Sequence, residues 1–196
     1  FRLTRLDSEL PLNTDFTKMR FRPDNGLKDN LGRTAIFYAV QAESLESTLP
    51  LIRAFSSQPR DKTNFTPVMH AVQAKSFDFL KQVAEKDSWS VYHGSFRQPS
   101  SFFYWNGVTG ESYVGDDTLI QYLEKNGAGD AATILRSKIN AIIVQCSAMI
   151  EKPEEESDKL EALDMRAKCY SELGMVDEAE ADAKAADALR KEPAEE

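Results

Sequence analysis

Thr34-Ala35-Ile36-Phe37-Tyr38-Ala39-Val40-Gln41-Ala42-Glu43-Ser44 returns 32 residues later as Thr66-Pro67-Val68-Met69-His70-Ala71-Val72-Gln73-Ala74-Lys75-Ser76. Carried on through Leu45-Glu46 and Phe77-Asp78, the two stretches are identical at six of thirteen positions. A period of this length marks a unit that cannot bury its apolar face alone and must stack on neighbours. Within each copy a Thr stands where it can cap a helix N-terminus, and Pro67 suits a first helical turn. Ala39 and Ala71 are small enough for two antiparallel helices to approach closely. Leu45, Leu49 and Ile52, then Phe77, Leu80 and Val83, give the second helix of each copy an apolar stripe. Pro50 falls inside that stripe and is expected to displace or kink its helix.

The two copies resemble ankyrin repeats. Asp29, Gly32, Thr34, Ile36 and Ala39 match the family pattern in the first, and Asp61, Thr66, Pro67, Val68 and Ala71 in the second. Phe37 and Met69 stand where the family has His, Asn64 replaces the turn Gly, and Glu43 and Lys75 replace the Gly between helices. The resemblance implies a protein-binding surface on the turn tips and inner helices. Arg33, Tyr38, Gln41, Lys62, Phe65, His70 and Gln73 occupy positions there that are free to vary.

A third copy is due near residue 93, but Trp89 to Tyr113 instead gathers 8 of the 19 aromatic residues. Phe102-Phe103-Tyr104-Trp105-Asn106-Gly107-Val108-Thr109-Gly110-Glu111-Ser112-Tyr113 alternates around Asn-Gly and Thr-Gly turn signals and reads as an antiparallel β-hairpin. It resembles the three-stranded WW domain, with Trp89 as the first signature Trp. The resemblance implies a face carrying Phe103 and Trp105 that takes proline-rich peptides. Val114 stands in place of the second, ligand-contacting Trp and Asp117 in place of the closing Pro. Feeble peptide binding is therefore expected, with Trp105 covered by the chain's own helices or by a protein partner.

Asp116 or Asp117 is expected to cap a helix carrying Leu119, Ile120 and Leu123, which resembles the second helix and exit turn of an ankyrin unit. Gly127 and Gly129 stop it, and Asp130 is expected to cap a long helix carrying Ile134, Ile139, Ile142, Ile143 and Met149. After Pro153, the spacing of Ala162, Ala167, Tyr170, Leu173, Gly174, Ala179, Ala186 and Pro193 resembles one tetratricopeptide repeat. A lone unit of that kind must dock on the helix before it. Glu161, Asp164 and Met165 stand where chaperone-binding members carry a carboxylate clamp, so no clamp is expected.

The expected fold is mainly α: a helical-hairpin repeat stack with a small β insert and a tetratricopeptide-like end. In order, 1–27 is an N-terminal extension or capping segment and 28–88 the ankyrin-like repeats. An aromatic WW-like segment follows at 89–115, then a helical pair at 116–152 and a tetratricopeptide-like hairpin with an acidic tail at 153–196.

The net charge of −8 is unevenly spread. From Glu151 to Glu196 there are 16 acidic against 7 basic residues; the first 150 residues carry 16 against 17. The acidic end repels phosphate backbones, so nucleic acid is not an expected partner. No run reaches the roughly 18 apolar residues of a membrane span. The sequence starts at Phe1, so a targeting signal is not observable in it. Cys146 and Cys169 form no disulfide framework, which points to a cytoplasmic or organellar setting. His70 and His93 have no ligand spacing to either cysteine, and no phosphate loop or nucleophile-base pattern occurs. No metal or cofactor is implied, and catalysis is not expected. The sequence points instead to a non-enzymatic scaffold that binds a protein, with an accessory subunit of a larger assembly as the alternative.

Overall fold

The computed structural model of the protein describes residues 27–54, 60–86 and 117–191, which form eight helices: α1 Ala35–Gln41, α2 Leu45–Ala54, α3 Pro67–Gln73, α4 Phe77–Lys86, α5 Leu119–Lys125, α6 Gly129–Glu151, α7 Glu156–Glu172 and α8 Val176–Lys191. No β-strand occurs among the described residues, so the chain is mainly helical. The WW-like hairpin, with Phe103 and Trp105, lies outside them.

The sequence repeat is a repeat of hydrogen bonds. Asp29 N–H bonds the Arg33 carbonyl and Asp61 N–H bonds the Phe65 carbonyl, each at 3.0 Å. These bonds close two fingers of chain, whose turns need a left-handed residue: Gly32 at φ +79° in one and Asn64 at φ +66° in the other. After each short helix, Ser44 N–H reaches Ala39 and Ser76 N–H reaches Ala71. Glu43 (φ +51°) and Lys75 (φ +57°) take the left-handed position there with side chains that disfavour it. One bond, from Lys62 N–H to the Leu31 carbonyl at 2.8 Å, ties the fingers together.

The two Thr residues behave differently. Thr66 Oγ1 accepts from Met69 N–H at 3.2 Å and caps α3, whereas the Thr34 hydroxyl is buried with no hydrogen-bond partner. Pro50 does not displace α2. It sits on the exposed side and gives up one backbone bond, while Leu49, Leu51 and Ile52 hold the helix to the core.

Three expectations for the later helices are corrected. Thr118, not Asp116 or Asp117, caps α5, through a reciprocal pair of bonds with Gln121; Asp117 pairs with Lys125 instead. Asp130 does not cap α6, whose N-cap is Ala128; it lies in the first turn and pairs with Lys81 of α4 at 3.1 Å. The segment after Thr118 matches the first helix of a unit rather than the second. Like α1 and α3, α5 has seven residues, a Thr at its N-cap and a left-handed exit, here Gly127 at φ +89°. Ala128 N–H then bonds the Leu123 carbonyl at 2.9 Å, the counterpart of the Ser44 and Ser76 bonds. The stripe of Leu119, Ile120 and Leu123 followed by a glycine exit fits either helix of a unit, so the sequence of residues 119–128 does not separate the two.

One core runs from α1 to α7, from Ile36, Val40 and Val68 through Leu80, Val83, Leu123 and Ile139 to Ala162 and Cys169. α6 packs on α4, α5 and α7, and α7 packs on α8. Gly174, at φ +76°, turns the chain between α7 and α8, and Ala162, Ala179 and Ala186 are buried there. Ala167, which shares the tetratricopeptide-like spacing, is only half-buried.

Candidate functional site

The site grows out of the fingers. Each is organised by one carboxylate. Asp29 Oδ1 accepts from the N–H groups of Leu31 and Arg33 at 2.8 Å each. Asp61 Oδ1 accepts from Thr63 N–H at 2.8 Å, Phe65 N–H at 3.0 Å and the Thr63 hydroxyl at 2.6 Å. The second oxygen of each carboxylate meets the residue nine positions on: the Tyr38 hydroxyl donates to Asp29 Oδ2, and His70 Nε2 lies 2.8 Å from Asp61 Oδ2.

Electrostatics follow from these bonds. The Tyr38 hydroxyl bond does most to lower the Asp29 pKa, and the same bond raises that of Tyr38. Burial opposes ionisation of Asp61, but the Thr63 hydroxyl, His70 and the backbone N–H groups outweigh it and hold the carboxyl well below the usual range. The imidazole of His70 is further fixed between Phe37 and Phe65, both ring centroids 5.5 Å away.

Between α1 and α3 lies a groove of about 330 Å³. Arg33, Gln41, His70 and Gln73 line it, together with Phe37 and Ser76. Four of the candidate residues read from the sequence therefore converge. Gln41 and Gln73 are exposed, as is Lys62 on the second finger. Phe65 is half-buried against His70, and Tyr38 points to its own finger rather than into the groove. Tyr38 and His70 thus hold the fingers in shape, a role that free variability does not describe.

Arg33 has an unusual environment. Its Nε lies 3.5 Å from Asp61 Oδ2, without hydrogen-bond geometry, and is buried with no hydrogen-bond partner.

Two further polar clusters escaped the sequence reading. Arg166 of α7 clasps Asp182 of α8 with two bonds of 2.7 Å and donates to the Ser147 hydroxyl of α6 at 2.9 Å. Glu172, buried at the end of α7, accepts from Ile120 N–H at the start of α5 at 3.3 Å, and burial pushes its carboxyl up to about 7. Both residues lie in an acidic, charge-rich stretch whose pattern is that of a solvated helix face. Cys146 and Cys169 are buried and not joined in a disulfide, and burial pushes the Cys146 thiol up to about 12, far from nucleophilic use. Among the described residues no cluster of three metal-ligating side chains occurs, and no helix is long and apolar enough to cross a membrane.

No family model matches the sequence, and no curated protein and no solved structure matches it either. The class of the protein rests on its own geometry.

Proposed function

We propose that this protein is a non-enzymatic interaction scaffold whose first two units are ankyrin-like and bind a protein partner along the fingers and the groove between α1 and α3. The observation that carries this reading is the convergence of Arg33, Gln41, His70 and Gln73 on one cavity wall. The core residues Phe37, Val40 and Ala71 form the floor of the groove, while Gln41, Gln73 and Ala74 on its wall are exposed and lie outside the core cluster. A rigid concave surface with exposed amides and one cation is suited to a segment of polypeptide that offers backbone donors and acceptors.

Ala74, exposed on the groove wall, gives the test. Ala74→Trp fills the cavity from a position outside the core. Affinity capture from the source cells, quantified against the wild type, should lose specific proteins while the thermal midpoint stays within about 2 °C, as for other surface changes. An unchanged set of captured proteins would remove the groove reading.

A further inference from the structure

We propose that the finger end of this groove is an anionic-side-chain subsite, so that the polypeptide it takes is acidic, with an Asp or Glu seated against Arg33. The inference rests on the groove reading above and adds the chemistry of the occupant.

The protein as a whole is acidic, yet its fingers are not. Residues 28–33 and 60–65 together hold Lys28, Arg33, Arg60 and Lys62 against Asp29 and Asp61. Both carboxylates are engaged by their own fingers, the partly exposed Asp29 by two backbone N–H groups and the Tyr38 hydroxyl, the buried Asp61 by Thr63, Phe65 and His70. The Asp61 side chain is only 1% exposed. Among the cations, Arg60 gives one Nη group to the Asn64 carbonyl, while Lys28 and Lys62 stand exposed. A partner approaching the fingers therefore meets more cations than carboxylates, since Asp61 is buried and the partly exposed Asp29 has both oxygens engaged.

Arg33 sharpens the point. Its side chain is 26% exposed and lines the groove, its Nε lacks an acceptor, and its contact with Asp61 is electrostatic only. With Nε buried against Asp61, the exposed part of the guanidinium is its planar pair of Nη groups, and a carboxylate in the groove can take two such donors at once. The groove sets polar side chains among the apolar Phe37, Val40, Ala71 and Ala74. At the far end the Ser76 hydroxyl donates to Glu43 Oε1 at 2.5 Å, which places a carboxylate there. An acidic residue is accordingly favoured at the finger end and disfavoured at the Glu43 end. The Gln41 and Gln73 amides lie between, neutral and able to pair with peptide backbone.

Fluorescence anisotropy on the full chain tests this with a fluorescein-labelled hexaglutamate peptide and its hexaglutamine counterpart. Long-range repulsion from a chain of net charge −8 opposes hexaglutamate, so preference for it demands a local cation site. At about 50 mM salt, hexaglutamate should bind roughly tenfold tighter than hexaglutamine and weaken as salt is raised. Arg33→Gln should abolish most of that preference. Gln73→Glu, at an exposed position that leaves the fold intact, should do the same by placing a carboxylate on the wall.

Glutarate added in excess should compete; competition by inorganic phosphate without glutarate would mark a phosphate subsite and overturn the assignment. Equal binding of the two peptides, no binding of hexaglutamate, or preference intact in Gln73→Glu would also overturn it. Capture that is lost in Ala74→Trp while both peptides bind alike sinks this inference alone; capture unaffected by Ala74→Trp sinks the groove reading itself.

Discussion

Two buried carboxylates illustrate how similar groups acquire opposite linkage to pH. Asp61 is ionised in the fold because the Thr63 hydroxyl, His70 and two backbone N–H groups compensate for its burial. Its folded pKa lies below the unfolded value, so its contribution is present above about pH 4 and fades as pH falls through that range. Asp61→Ala strands those donors inside the second finger and should cost on the order of 1–3 kcal/mol, read as a lowered midpoint in denaturant. Glu172 has the reverse sign. Burial raises its folded pKa from 4.5 to about 7, with only the N–H groups of Ile120 and Leu119 opposing. Stability from this group is therefore complete below pH 4.5 and is lost as pH rises through about 7. Between pH 5 and pH 8 the wild type should lose stability by up to about 3 kcal/mol on this account, and Glu172→Gln should flatten the profile. Identical pH profiles for the two proteins would show that Glu172 is not held in this environment.

At the scale of elements, the repeat was legible because identity at fixed spacing needs no knowledge of burial. Thr66, Ala71 and Val72 sit in structure as their spacing required, and the left-handed turn positions fall on Gly32 and Asn64 as the pattern has them. What the pattern did not carry was which side chains are spent internally. Tyr38 and His70 differ in chemistry, which reads as freedom to vary, but both put a polar tip on the Asp nine residues before them. A carboxylate accepts from a phenol as well as from an imidazole, so substitution here preserves one bond rather than relaxing it. The place of α5 was likewise lost because an apolar stripe with a glycine exit suits either helix, whereas the Thr118 cap is the feature shared with the Thr N-cap positions of α1 and α3. Stacking gives a sharp mutational test. Ala71 is 3% exposed in the core where α3 meets its neighbours, with the groove on one flank, so Ala71→Leu crowds the core side and should cost about 1–3 kcal/mol. A melting temperature unchanged by Ala71→Leu would remove close packing of α1 and α3. Lys75→Gly should act in the opposite direction, since it frees a left-handed residue from its side-chain penalty, and a gain of about 1 kcal/mol or less is expected in the same assay.

Across the whole molecule, the helices form a chain of neighbours in which α6 is the pivot. It touches α4 and α5 on one side and α7 on the other, while α8 leans chiefly on α7. The segment that resembles a tetratricopeptide repeat therefore has only one apolar floor, supplied by Ile139, Ile142 and Cys146 of α6 beneath Ala162, Met165 and Cys169 of α7. The polar ties obey the same geography. Arg166 spans α6, α7 and α8 through Ser147 and Asp182, and Glu172 joins α7 to α5. A fragment of residues 153–196 keeps the Arg166–Asp182 clasp but loses Ser147, the apolar floor and the backbone donors at Ile120. Two short helices without a covered face hold too little buried area to offset the entropy of ordering them. This fragment should show weak helicity by circular dichroism and a broad thermal transition. A fragment of residues 129–196 restores α6, the floor and Ser147, and should recover strong helicity with a sharper transition. Glu172 has no partner on α5 in either fragment, so the longer one should also be insensitive to the pH change that destabilises the full chain. Full helicity and cooperative melting of 153–196 alone would contradict the docked arrangement, because the hairpin would then be a domain in its own right rather than the outer layer of the stack.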